Sequence, residues 1–503
     1  MNNLQQAIDI LCSDTLKPIV DMVIHSPESG VFVTQNAAGQ TIFERDMGSE
    51  DGFRRVGVQG ADPLLNQSVF AFDSLQKQRD NMFPENSVNH YPYAFERIAQ
   101  VFDHKDRPDL IVQHTAGHNY DEKGGYLGEH GSLDITQSRA PFIMSGNSVR
   151  SFGFTDGHIK VIDVMPTLIE LLNRVLNGQK GELFESIKET LDGKVNKEII
   201  QDYVALDTSF EHIVVFLLDG CNSNILYSMI QANELPNLKA LVNNGIALNQ
   251  GTIASFPSVT LANHTSLLTG MHPGHHGVLH NAWWDKANNS EIVTESPATW
   301  HTSMQYLNSG IMTAFDILAK LTENPTTVAI NEFADCGAVY STFDLMRNNR
   351  SEILVTAANI FSDPLGILSE KFKDNQEYQL GSSVDHLAVR QILNILDGHW
   401  DSRNFEVPLF SWINMTLTDV SFHEGGPDSQ IGRHALIDTD KRIGLVLDKL
   451  DSIGKLDKTL FVVLADHGME ETNPLIKGDW DVALQEAGLN FADESYGFIY
   501  FKN

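Results

Sequence analysis

Residues 212–220 read HIVVFLLDG. Six consecutive apolar residues run without alternation into Asp-Gly, which predicts a short central parallel strand buried on both faces. Two later stretches have the same form. VPLFSWINMT (407–416) is followed by Asp419, and TLFVVLADHGM (459–469) carries Asp466 and His467 just past its apolar run. Helical segments such as LPNLKALVNNG (235–245) lie between these runs, and Gly245 is expected to close that helix in a left-handed turn. Strands alternating with helices predict an α/β fold with a doubly wound, mostly parallel sheet flanked by helices. In such sheets ligands gather at the carboxyl ends of the strands. Asp219, Asp419 and Asp466 all fall there.

The rest of the chain fits around this core. Residues 30–45 alternate about a Gly-containing turn and predict a β-hairpin. Residues 109–113 and 140–145 predict short apolar strands, and VIDVMPTLIELLNRVL (161–176) predicts a helix packed on a sheet. The polar, Lys/Glu-rich stretch 176–206 reads as a surface helix and linker. The expected division is therefore a hairpin-containing segment 1–100, a segment 101–175, a linker 176–206 and a main catalytic core 207–503.

Composition narrows the function classes. The 503 residues carry a formal net charge of −31, which argues against a basic groove for polymeric DNA or RNA. A small phosphorylated substrate remains compatible, because a bound metal pair dominates its local field. Three scattered cysteines (Cys12, Cys221, Cys336) indicate neither a disulfide framework nor a thiolate zinc site. The opening MNNLQQAIDILCSD has no basic start and no long apolar run, and no stretch is long enough to span a membrane. A cytoplasmic protein without a membrane partner is the expectation.

Four elements carry chemistry. Asp219 ends a buried strand, where a carboxylate is costly unless paired or bound to a metal, although such an Asp also caps helices. Thr260 stands where FPSVTLANHTSLLTG turns into a helix, so backbone N–H groups and the helix dipole favour a phosphate in front of its hydroxyl. Taken alone, Thr260 reads as a helix cap before anything else. Asp419 and His423, four residues apart, share one face of a helical turn and can reach one metal. Asp466 and His467 end a strand as neighbours pointing to opposite sides, which suggests one metal each.

As a set, HIVVFLLDG, FPSVTLANHTSLLTGMHPGHHGV, DVSFH and ADHGM resemble the type I phosphodiesterase/nucleotide pyrophosphatase family of the alkaline phosphatase superfamily. The resemblance spans most of 212–503. It implies an alkaline-phosphatase-like core, two divalent metal ions, zinc by the family's habit, and a phospho-threonine intermediate on Thr260. Carried over, Asp219, Thr260, Asp466 and His467 hold one metal, and Asp419 and His423 the other. Asn281, in HHGVLHN, matches the family Asn that donates to a phosphate oxygen. Trp283 and Trp284, just beyond it, could stack on a nucleobase or other leaving group, or pack in the core.

The chain departs from the family at one point. The family takes a further histidine ligand from beyond the Asp-His-Gly, but no histidine follows His467 here. Catalytic zinc usually has three protein ligands. GYLGEHGSLDITQSRAPFIMSG (125–146), followed by VIDVMPTLIELL, resembles the family's closing segment placed ahead of its opening one. His130 is the expected third ligand beside Asp419 and His423, with His118 as its substitute. The function implied is hydrolysis of phosphodiester or pyrophosphate bonds in a small substrate, nucleotides among them. The alternatives are a phosphomonoesterase or phosphonate hydrolase on the same site, or a binding protein whose site has degenerated.

Overall fold

The computed structural model describes residues 3–81, 88–120, 125–175, 181–205, 210–296, 298–348, 372–400, 403–404, 406–494 and 497–502. Among them, an eight-stranded sheet forms the centre. Its order is Tyr340–Ser341, Thr327–Ile330, Phe410–Met415, His212–Leu218, Thr459–Leu464, Phe142–Ser145, Gly245–Leu248, Gly153–Thr155. Five of the seven pairings are parallel; only Phe142–Ser145 runs against both its neighbours. The fold is the doubly wound α/β architecture that HIVVFLLDG predicts.

The His212 strand is buried on both faces. Ile213, Val215 and Leu217 enter one apolar cluster with Val164, Leu168 and Leu171 of the helix Val161–Val175. Val214, Phe216 and Leu218 enter a second on the opposite face, with Ile225, Leu238 and Ile443 from other helices. Side chains alternate across a strand, so an unbroken apolar run supplies both layers at once. Fully burying each such side chain contributes about 1.5–3 kcal/mol.

Two expectations need correction. Gly245 does not close a helix in a left-handed turn. The helix Pro236–Asn243 ends at Asn244, and Gly245 begins the next strand. A side chain there would stand 2.1 Å from the Met144 carbonyl oxygen, so the glycine serves close strand approach. The stretch 176–206, where described, is seated on the core rather than spanning solvent. Phe184, Ile187, Ile199 and Ile200 are buried in the same apolar cluster as Val164, Leu168 and Leu171 of the Val161–Val175 helix. Leu110–His114 is a strand of a second sheet and not of the central one.

That second sheet has seven antiparallel strands: Phe491–Glu494, Phe498–Phe501, Leu110–His114, Val20–Glu28, Val31–Asn36, Gly39–Arg45, Phe53–Gly60. The expected hairpin is its Val31–Arg45 portion. The sheet joins the two ends of the chain, since Phe498 pairs with Ile111 and Val23 with Val112.

A polar chain of contacts binds the early segments to the helix Pro273–His276. The His275 imidazole lies between Asp192 (2.7 Å) and Asp103 (2.9 Å), and Asp103 also pairs with Arg45. Burial opposes a charge on His275, but the two carboxylates overcome it and raise its pKa to about 9. The folded value lies above the ordinary 6.5. This pairing therefore stabilises the fold fully below about pH 6.5 and ceases to do so as pH rises through about 9. Denaturant midpoints of the wild type and His275→Gln should differ at pH 6 and converge by pH 10. A gap that stays constant across this range would refute the assignment.

Candidate active site

Three parallel strands deliver three carboxylates to one place. Asp219 follows Leu218, and its N–H still pairs with the Met415 carbonyl at 2.9 Å. Gly220 then turns with φ +62°, and a side chain there would lie 2.3 Å from Asp419 Oδ1. Only glycine meets both demands. The helix Leu417–Gly425 starts just past Met415. The Asp385 carboxylate accepts the Thr416 N–H at 2.7 Å at its mouth, and the Thr418 hydroxyl donates to the Asp219 carbonyl at 2.6 Å. These contacts set Asp419 and His423 on the face that meets Asp219. Asp466 follows the third strand, held by the Gly220 N–H at 3.1 Å.

The expected ligands converge. His423 Nε2 is 3.6 Å and His130 Nε2 is 3.8 Å from Asp419 Oδ1. His467 Nε2 is 3.2 Å from Asp466 Oδ2 and 3.9 Å from Asp219 Oδ1. Asp466 and His467 are neighbours in space, yet the clusters of converging ligand atoms divide them, His467 with Asp219 and Asp419, and Asp466 with Asp219 and His264. Two groups of ligand atoms, His130–Asp419–His423 and Asp219–Asp419–His467, each lie within 4.8 Å of one another.

His130 reaches the site from far off in sequence. Gly128–Glu129 pairs with Glu470–Glu471, just beyond His467, and Gly131 bridges to Ser258, just before Thr260. The His130 ring stacks on that of His467 at 3.9 Å. The substitute candidate His118 is directed elsewhere, with its Nε2 on the Gly478 carbonyl at 2.8 Å.

The side chains suit divalent cations. Each of the three imidazoles turns its Nδ1 to a backbone carbonyl: His130 to Ser258 (3.0 Å), His423 to Gly128 (2.7 Å), His467 to Gly468 (2.9 Å). A carbonyl only accepts, so the proton sits on Nδ1 and the Nε2 lone pairs face the carboxylates. Asp219 Oδ1, Asp419 Oδ1 and Asp466 Oδ2 are buried without a hydrogen-bond partner. Burial, then the neighbouring Asp466 and Asp419, drives the Asp219 carboxyl well above the ordinary range. Burial, then His467 and His423, pushes His130 well below its ordinary value, which keeps it neutral. Burial also works against charge on His423, but Asp419 and Glu129 outweigh it and raise its pKa.

Thr260 is the first residue of the helix Thr260–Thr269, and its hydroxyl lies 3.3 Å from His467 Nε2. Asn281 is fixed by the Leu261 N–H, donated to its Oδ1 at 3.0 Å. Its side chain also hydrogen-bonds the Glu295 carboxylate. The tryptophans do not form a stacking platform. Trp283 is 1% exposed, edge-on to Tyr306 within the core, and the Trp284 ring is covered by Lys502 Nζ at 3.9 Å. An antiparallel hairpin with Ser290–Val293 turns them there. Arg139 is likewise spent on structure, donating to the Val69, Ala71 and Phe72 carbonyls. The histidines that follow the Thr260–Thr269 helix are structural too: His276 Nε2 meets the Ser266 hydroxyl of that helix, and His272 sits between Ser255 and Glu96.

Sequence reasoning missed His264 and Glu332. His264 lies four residues past Thr260, so it returns to the same helix face. That spacing was the available signal; its partner Glu332 had none.

The sequence pattern of the type I phosphodiesterase/nucleotide pyrophosphatase family matches residues 213–502. Ectonucleotide pyrophosphatase/phosphodiesterase family member 1 of Mus musculus is 26% identical over 260 residues, 51% of this chain and 24% of that protein. Bis(5'-adenosyl)-triphosphatase enpp4 of Mus musculus is 22% identical over 291 residues, 57% of this chain and 53% of that protein. Murine ectonucleotide pyrophosphatase/phosphodiesterase 5, solved as an inactive variant with AMP, aligns with a TM-score of 0.41 and 18% identity over 58% of this chain and 67% of its own. The chain thus spans between about a quarter and about half the length of these two curated relatives. With a match that covers more than half of its residues and contains Asp219, Thr260, Asp419, His423, Asp466 and His467, the chain belongs to the type I phosphodiesterase/nucleotide pyrophosphatase family.

Proposed function

We propose that the chain hydrolyses phosphodiester or pyrophosphate bonds of a small substrate, with Thr260 as nucleophile beside two divalent cations, zinc by preference. The observation that carries this reading is the Thr260 hydroxyl at a helix N-terminus, 3.3 Å from His467 Nε2, beside oxygens of Asp219, Asp419 and Asp466 that are buried without a hydrogen-bond partner. Asp219, Asp466 and His467 would hold one ion with Thr260; Asp419, His423 and His130 would hold the other. Such ions lower the pKa of a hydroxyl and offset charge at phosphorus.

The chain's own residues do the rest. The Thr260 oxygen attacks phosphorus, and the bond to the leaving oxygen breaks with its electron pair. This leaves a phospho-threonine that water then hydrolyses. The start of the Thr260 helix, where the Leu261 N–H is taken by Asn281, would turn its positive end toward the phosphate oxygens. Asn281 has its Oδ1 committed to Leu261 and its Nδ2 donating to Glu295, so the second Nδ2 proton is the one that would reach a phosphate oxygen. The mixed Asp and His donors suit zinc. A nucleotide substrate agrees with the printed names of the relatives, a bis(5'-adenosyl)-triphosphatase among them. In this reading 101–175 supplies the family's closing segment to the core 207–503 in permuted order.

Rates on bis(p-nitrophenyl) phosphate, p-nitrophenyl phosphate and phosphonoacetate test the reading. The diester should be fastest, and a preference for either of the others would overturn the assignment. Thr260→Ala should lower the diester rate by at least about a thousandfold, as expected for loss of a covalent nucleophile. A variant that keeps a tenth of the wild-type rate with its fold intact would exclude Thr260 from that role.

A further inference from the structure

His264 is fully buried one helical turn past Thr260. Its Nδ1 faces both oxygens of Glu332, at 3.1 and 2.9 Å. Glu332 is equally buried and is steadied by the Ala334 N–H at 2.9 Å. The other ring nitrogen, Nε2, has no hydrogen-bond partner. It points into the gap between Asp219 Oδ2, 3.8 Å away, and Asp466 Oδ2, 3.7 Å away.

Those distances exceed a hydrogen bond. They are close to the separation of atoms that share one cation, since bonds of about 2.0–2.2 Å in tetrahedral geometry hold ligand atoms about 3.3–3.6 Å apart. A buried imidazole whose far N–H goes to a carboxylate is also how proteins orient a histidine toward a metal. The position shares both its carboxylates with the one beside Thr260, since Asp466 Oδ2 also lies 3.2 Å from His467 Nε2, and only the imidazole is its own. Asp219 turns Oδ1 toward His467 and Oδ2 toward His264, so its carboxylate stands between two imidazoles.

We propose that Asp219, Asp466 and His264 form a third divalent-cation position, with Glu332 fixing the imidazole behind it. The Asp219 carboxylate bridges it to the nucleophile's side of the site. The donor set of two carboxylates and one imidazole selects a borderline ion such as Zn2+ or Mn2+. The proposal rests on the two-ion reading and adds one equivalent to it.

Chelator-stripped protein titrated with Mn2+, with free ion counted by electron paramagnetic resonance, tests it without reference to activity. Saturation at three equivalents per chain supports the third position. Saturation at two overturns it and leaves the two-ion reading standing, whereas saturation at none removes both. His264→Leu should bind one equivalent fewer than the wild type; an unchanged count would overturn the role of His264. Glu332→Gln, which keeps the imidazole and the packing, should weaken the third equivalent by about 10- to 100-fold and spare the other two. Equal affinity for all equivalents in that variant would count against the assignment.

Discussion

Like charge gathered at one place governs this structure. Asp219, Asp419 and Asp466 leave the ends of parallel strands and meet with Glu332 close behind, largely out of solvent. Four imidazoles lie among them, those of His130, His264, His423 and His467. Burying charges that close together is costly unless counter-charge is supplied. The fold provides for that supply rather than avoiding the cost. Gly220 lets Asp419 approach, Asp385 caps the helix that carries it, and backbone carbonyls hold three imidazoles by their far nitrogens.

Much of this was legible in the sequence because it is written locally. An apolar run such as IVVFLL declares a strand buried on two faces, and its Asp-Gly places an acid at the strand's carboxyl end. The i, i+4 spacing of Asp419 and His423 declares a shared helix face. What stayed illegible depends on distant pairing. Leu110–His114 has the composition of a central strand, yet it pairs with Val20–Glu28 and Phe498–Phe501 in the second sheet. Trp283 follows Asn281 closely enough to suggest a stacking surface, but the hairpin it begins turns the ring into the core. Glu332 lies far from His264 in sequence, and nothing near it announces a role.

His130 stands between these cases. Its His-Gly could be read, but its place in the site depends on two contacts that no local pattern encodes. One is the pairing of Gly128–Glu129 with Glu470–Glu471, and the other is the bridge from Gly131 to Ser258. Together they clamp the His130 loop between the segment that carries Thr260 and the segment that carries His467. The same contacts couple folding to function, since the site is complete only when segments from both halves of the chain have docked.

The central claim is that one catalytic centre is closed by a histidine from the early part of the chain. A crystal structure of metal-loaded protein, with ions located by anomalous scattering at the zinc edge, tests it most directly. The account predicts an ion bound by Asp419 and His423, with His130 Nε2 at about 2.0–2.1 Å from it. An ion held by Asp419 and His423 with the His130 nitrogen outside bonding distance, or no ion there at zinc saturation, would contradict it.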